Sequence, residues 1–94
     1  MEKLIVPKRY IPREGQTSVY IKQNHEYCIV RLHGEIYAVD NLCPHQGASL
    51  ALGEIKEDKI VCPLHQYHFN IKDGTCNIER FHLKRYEVEV LDED

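Results

Sequence analysis

Two stretches decide the reading of this chain: LCPHQGASL, Leu42 to Leu50, and VCPLHQYHF, Val61 to Phe69. Each carries a cysteine followed by a proline and then a histidine, so the pattern runs Cys43-x-His45, 16 residues, Cys62-x-x-His65. The prolines, Pro44 and Pro63, fix φ and remove an N–H donor, which stiffens a loop. Thiolate and imidazole are both metal donors, and two matching pairs look like two jaws of one metal site.

Around the jaws the chain is written in short strands. TSVYIKQ (Thr17 to Gln23), YCIVRL (Tyr27 to Leu32), EIYAVD (Glu35 to Asp40), KIVC (Lys59 to Cys62), YHFNI (Tyr67 to Ile71) and LKRYEVEVL (Leu83 to Leu91) are rich in Val, Ile, Tyr or Phe and bounded by turn residues. Helix-period patterning is poor, and neither repeats nor a linker interrupt the pattern. Asn24-His25 lies between two strands, His33-Gly34 predicts a tight hairpin with Gly34 at positive φ, and Asp73-Gly74 predicts a further turn. The spacing predicts an all-β, mainly antiparallel sandwich or small barrel. Both Cys-Pro stretches fall on loops leaving strands, so they are expected to converge at one end of it.

At 94 residues the chain is expected to form one domain, 1–94. A chain of this size buries only roughly 60–65% of its unfolded surface, so a metal staple would help it. Leu4-Ile5-Val6 is the one apolar run near the start, far short of a signal or membrane-spanning segment. The expected location is therefore the cytoplasm, where an ordered Cys/His pattern favours metal over disulfide. The net charge of -3 comes with interleaved acids and bases and no basic stripe, which speaks against nucleic acid as a partner. The acidic end, EVEVLDED, reads either as steering for a basic partner or as a solvated, frayed terminus.

Three readings of the four donors compete. Structural zinc suits two thiolates and two imidazoles, but zinc fingers pair cysteine with cysteine and histidine with histidine. Here each pair is mixed. A binuclear iron–sulfur cluster with one iron on two cysteines and the other on two histidines requires mixed pairs, one from each arm. The third reading, reduced cysteines beside unrelated surface histidines, has to explain two coincident Cys-Pro stretches on turn-rich loops.

CPHQGASLALGEI followed by IVCPLHQYHFNIKDGT resembles the Rieske [2Fe-2S] family, whose pattern is C-x-H, about 16 or 17 residues, then C-x-x-H. GEIYAVDNLCPHQGASL is similar to the family's hairpin leading into the first ligand loop, FNIKDGT to the strand and turn after the second, and LKRYEVEVLD to its last strand. The resemblance implies a fold of three antiparallel sheets, with roughly residues 41–76 as a small cluster-binding subdomain at one end. It implies that Cys43 and Cys62 ligate the buried iron of one [2Fe-2S] cluster, and His45 and His65 the outer iron. Neutral imidazoles in place of two thiolates make such a cluster less negative and favour the added electron.

Departures from the family pattern narrow the subtype. Respiratory members carry an extra cysteine in each ligand loop, joined as a disulfide; those positions here are Ala48 and Leu64. Their serine and tyrosine donors toward the cluster correspond here to Tyr67 and Phe69, which implies a potential at the low end of the Rieske range. Gln66 replaces a usual glycine after the second histidine. Leu50, Leu52, Leu64 and Phe69 are expected to form the apolar shell around the cluster, or simply the local core. Cys28 reads as a small buried hydrophobe, Cys76 as a thiol in a turn, and His68 as a surface or partner-facing residue rather than a ligand; His25, His33 and His82 have no partner at ligand spacing.

The resemblance implies a soluble one-electron carrier, not itself an enzyme, that docks to a reductase and to a terminal oxidoreductase such as an aromatic-ring dioxygenase. The small Rieske-like subunit of an assimilatory nitrite reductase is the alternative, and a zinc-stabilised β binding module the second. Neither a membrane nor a nucleic acid is an expected partner.

Overall fold

The computed structural model describes residues 1–44, 47–64 and 67–92. The described residues form eight strands: β1 (Lys3–Pro7), β2 (Thr17–Lys22), β3 (His25–Leu32), β4 (Glu35–Asp40), β5 (Glu54–Lys56), β6 (Lys59–Val61), β7 (His68–Asn70) and β8 (Arg85–Leu91). Two single-turn 3-10 segments, Lys8–Tyr10 and Leu50–Leu52, complete it. The all-β expectation holds.

A five-stranded sheet runs in the order β1-β8-β4-β3-β2, and a three-stranded one in the order β5-β6-β7. β2-β3-β4 is an antiparallel meander, and β5-β6-β7 is another. One pairing departs from the antiparallel expectation: β1 lies parallel to β8, with Leu4 opposite Val88 and Val6 opposite Val90. The terminal segment whose apolar run was too short for a signal is thus an edge strand. β4 and β8 pair only at Ala38–Tyr86 and Val39–Arg85, after which the two strands diverge.

The middle of the molecule is the β3-β4 hairpin. Cys28, Ile29 and Val30 are all fully buried, because β3 is covered on both faces. Cys28, Val30, Leu32 and Val39 pack with Leu50, Ile60, Phe69, Ile71 and Leu83 on one side. Ile29 and Ala38 pack with Leu4, Val6 and Tyr86 on the other. That double burial explains why YCIVRL reads as an apolar run rather than as a clean alternation.

The turns are set by left-handed residues. His33 (φ 54) and Gly34 (φ 77) are both left-handed, the geometry of a tight two-residue hairpin. The turn before β3 is Gln23-Asn24 (φ 52 and 65) rather than Asn24-His25, and His25 is already the first residue of β3. Gly74 is left-handed (φ 80) in the turn after β7, where Asn70 and Asp73 side chains accept backbone N–H bonds. The acidic end is not frayed through Leu91: Glu87 and Glu89 lie in β8, and Glu89 pairs with Lys3 at 3.2 Å.

Candidate metal centre

Residues 41–84 leave the large sheet at the end of β4 and return at the start of β8. The excursion contains both cysteine loops. The first follows β4, and the second follows β6, so both spring from the ends of paired strands. Cys43 and Cys62 are each 2% exposed and belong to one apolar cluster with Leu50, Ile60 and Phe69. The two cysteines thus meet in one core.

The loops close in the same way. The Cys43 N–H donates to the Ala48 carbonyl at 2.8 Å, and the Cys62 N–H donates to the Tyr67 carbonyl at 3.0 Å. Both closures span five residues and pin the cysteine backbone at the base of its loop. In the first, the Gly47 N–H also donates to the Cys43 carbonyl at 2.7 Å, with Gly47 at φ 75. A side chain there would be strained, so glycine suits the turn. Tyr67 at the far end of the second loop packs edge-on against Phe81, ring centroids 5.4 Å apart.

Asn41, which precedes the first loop, is the one fully buried polar residue among the described residues. Its Nδ2 donates to Glu26 Oε1 and Ser49 Oγ, each at 2.9 Å, and its Oδ1 accepts the Ala51 N–H at 3.0 Å. Its backbone N–H donates to the Glu26 carbonyl, and its carbonyl accepts the Leu50 N–H at 2.7 Å. Sequence spacing gave no signal for it, since an asparagine before a loop reads as a turn residue. Its role depends on partners up to 15 residues away.

His45, Gln66 and His65 lie outside the described residues, so the nitrogen half of the expected ligand set and the loop position of Gln66 are not described. The sulfur half fits a metal centre: two shielded thiols rise from loops with the same closure, and none of the four cysteines is disulfide-bonded. The apolar shell needs correction. Leu50 and Phe69 are fully buried, but Leu52 and Leu64 are 79% and 60% exposed. Leu52 is the outward residue of a one-turn 3-10 segment, and Leu64 follows the exposed Pro63 in the second loop. Leu42, next to Cys43 in the chain, is 46% exposed as well.

The other cysteines and histidines fall elsewhere. Cys28 is fully buried, and burial pushes its thiol up to about 12. Cys76 is half-buried, bridges to Phe69 across a short ladder and donates to Asn77 Oδ1. His68 is half-buried in β7. His25 and His33 have carboxylate partners that spacing did not reveal: His25 meets Asp40 at 2.7 Å, and His33 meets Asp58 at 3.0 Å. Tyr86 also donates to Asp40 at 2.6 Å, and its burial, reinforced by that carboxylate, raises the phenol above its ordinary range. No helix among the described residues is long and apolar enough to cross a membrane.

Comparison with known proteins agrees with this geometry. The family model for the Rieske [2Fe-2S] domain matches residues 2–87. The chain is 34% identical over 79 residues to the ferredoxin component of the naphthalene 1,2-dioxygenase system of Pseudomonas putida, covering 82% of this chain and 76% of that one. It is 34% identical over 62 residues to the ferredoxin component of the alkene monooxygenase system of Xanthobacter autotrophicus, covering 65% of this chain and about half, 51%, of that relative. Among solved structures, the complex of reduced oxygenase and oxidised ferredoxin in carbazole 1,9a-dioxygenase matches with a TM-score of 0.76 at 28% identity, covering 85% of each chain. A protein described as the small subunit of an NADH-dependent nitrite reductase from Mycobacterium tuberculosis shares the fold, with a TM-score of 0.70 at 21% identity over 78% of this chain and 72% of its own. By the match over residues 2–87 and the shared fold, the chain belongs to the Rieske [2Fe-2S] domain family.

Proposed function

We propose that this chain is a one-electron carrier that holds one [2Fe-2S] cluster on Cys43, Cys62, His45 and His65 and passes electrons from a reductase to a terminal oxygenase. The observation that carries the reading is the pair of buried cysteines on two loops with the same five-residue closure, sharing one apolar core. The cluster, when bound, supplies reversible one-electron chemistry. The chain's own residues do the rest. The N–H bonds at Cys43 and Cys62 fix where the two sulfurs emerge, and Leu50, Ile60 and Phe69 keep water from that side. A rigid, dry floor reduces the rearrangement that accompanies a change of charge.

The exposed leucines that neighbour the cysteine loops in the chain, Leu42 and Leu64, support docking of a protein partner there. The names of the relatives support an oxygenase as the acceptor.

Purified protein tests the proposal. It should be red-brown, hold about two irons and two acid-labile sulfides per chain, and give a Rieske-type EPR signal on reduction. A colourless protein with one zinc would overturn it in favour of a zinc-stabilised β module. His45→Cys and His65→Cys should each lower the midpoint potential and remove pH-dependent reduction near neutrality, provided the cluster assembles. Pull-down from a native lysate separates the acceptors: recovery of an oxygenase supports the carrier reading, and recovery of a nitrite reductase large subunit supports the alternative.

A further inference from the structure

We propose that Asn41 is the positioning residue of the first ligand loop, and that Glu26 anchors it to β3. The inference rests on the cluster assignment above and deepens it.

A fully buried amide is tolerated only when its hydrogen-bonding groups are engaged. Here both Nδ2 hydrogens donate, to Glu26 Oε1 and Ser49 Oγ, and Oδ1 accepts the Ala51 N–H. The first partner belongs to the neighbouring strand β3, and the other two to the segment by which the loop returns. One side chain thus joins the point where the loop departs to the point where it comes back. The bond from the Cys43 N–H to Ala48 lies inside that ring. Cys43 sits two residues beyond Asn41, so its sulfur position is set by an outer ring and an inner one. For the second loop, the backbone closure from Cys62 to Tyr67 has no comparable buried amide beside it among the described residues.

The residue type follows from the partners. The site needs two donors and one acceptor on a short stem, facing a carboxylate. Aspartate has no donors when ionised and would set its charge against Glu26. Leucine matches the volume and makes none of the bonds. Glutamine is one carbon too long for a site that is already fully enclosed. Ser49 and Glu26 are both half-buried, so water competes little for their contacts. An asparagine here holds the loop before any metal arrives, which spares the ordering cost of assembly.

The test compares holoprotein variants in three readouts: bleaching rate under an iron chelator, EPR g-values of the reduced state, and midpoint potential. Asn41→Ala should bleach about tenfold faster than the parent and shift both g-values and potential, the scale seen when a partner behind a metal ligand is lost. Ser49→Ala and Glu26→Ala should move bleaching in the same direction by smaller factors. Glu26→Gln keeps the acceptor oxygen and should stay within about twofold of the parent. Val6→Ala, in the core on the opposite face of the sheet, should lower the melting temperature with unchanged g-values and potential. Parent-like g-values, potential and bleaching in Asn41→Ala would overturn the proposal. Should that variant fail to assemble, Ser49→Ala and Glu26→Ala decide, and parent-like bleaching in both overturns it. Absence of a Rieske signal in the parent itself would instead remove the cluster assignment.

Discussion

Phe69 shows how single residues tune this site. Its ring is fully buried beside the cysteines and has no hydroxyl to donate toward a cluster sulfur. Fewer donors leave the reduced state less stabilised, so the midpoint is expected at the low end of the Rieske range, roughly -150 mV. A spectroelectrochemical titration giving a clearly positive value would contradict it. Thiol chemistry gives a second prediction. Cys28, fully enclosed and with its thiol pushed up to about 12, stays protonated and unreactive at neutral pH, whereas half-buried Cys76 should be alkylated first. Peptide mapping after timed iodoacetamide treatment of the holoprotein reads the order, and early labelling of Cys28 would contradict the burial. At this scale the two Cys-Pro stretches were legible because the motif is local, and the structure puts their cysteines in one buried cluster. The exposure of Leu52 and Leu64 and the bonding of Asn41 were not, because burial is decided by what the rest of the chain brings alongside.

Elements were legible where they were long or sharply punctuated. β2, β3, β4 and β8 each run six residues or more, and their hairpins carry left-handed residues that sequence partly marks. β1 was missed because it needs β8, more than 80 residues later, to become a strand. β5 was missed because it is three residues long and depends on Gly53. A Cβ on Gly53 would lie 1.8 Å from the Val61 carbonyl oxygen, in the partner strand's backbone, so neither strand can yield cheaply. Gly53→Ala is therefore expected to destabilise by at least about 3 kcal/mol, at the upper end of overpacking costs, and to be visible as a lowered melting temperature. The β3-β4 hairpin predicts a pH effect. Glu14 accepts the N–H bonds of His33 and Gly34 at 2.6 and 2.9 Å, and these bonds, Gly34's first, hold its carboxyl below the ordinary value of 4.5. A depressed carboxyl stabilises the fold above its unfolded pKa, and the gain is lost as pH falls through the folded one. The melting-temperature gap between parent and Glu14→Ala should thus be present at pH 6 and shrink toward pH 3; a constant gap would show that the charge has no part in it.

The molecule as a whole is layered, and the layering separates two cores that share β3 and β4. One core, around Leu4, Val6, Ile29, Ala38 and Tyr86, joins β1 and β8 to the central hairpin and contains no ligand candidate. The other holds Cys43 and Cys62 and is completed by the excursion between β4 and β8. Among the described residues that excursion is tied back by Asp40 N–H to the Lys84 carbonyl at its neck, Asn41 to Glu26, Thr17 Oγ1 to the Ala51 carbonyl, His33 to Asp58, and Arg85 to the Lys72 carbonyl. The sequence reading expected a cluster-binding unit near residues 41–76; it gave no sign that the excursion packs on the second face of a strand already buried on the first. We infer that the unit depends on the metal and the base does not. The β5-β6-β7 sheet has strands of three residues each, too short to hold together alone, and its Ile60 and Phe69 share one buried cluster with Cys43 and Cys62. Iron removal by a chelator under reducing conditions should therefore raise amide exchange at Ile60, Cys62 and Phe69 by orders of magnitude. Leu4, Val6, Ile29 and Ala38 should keep most of their protection, since their ladder runs through β1, β8 and the central hairpin. Equal loss of protection on both sides would mean that the two cores unfold as one unit, and that the metal holds the whole chain rather than its cysteine-bearing half.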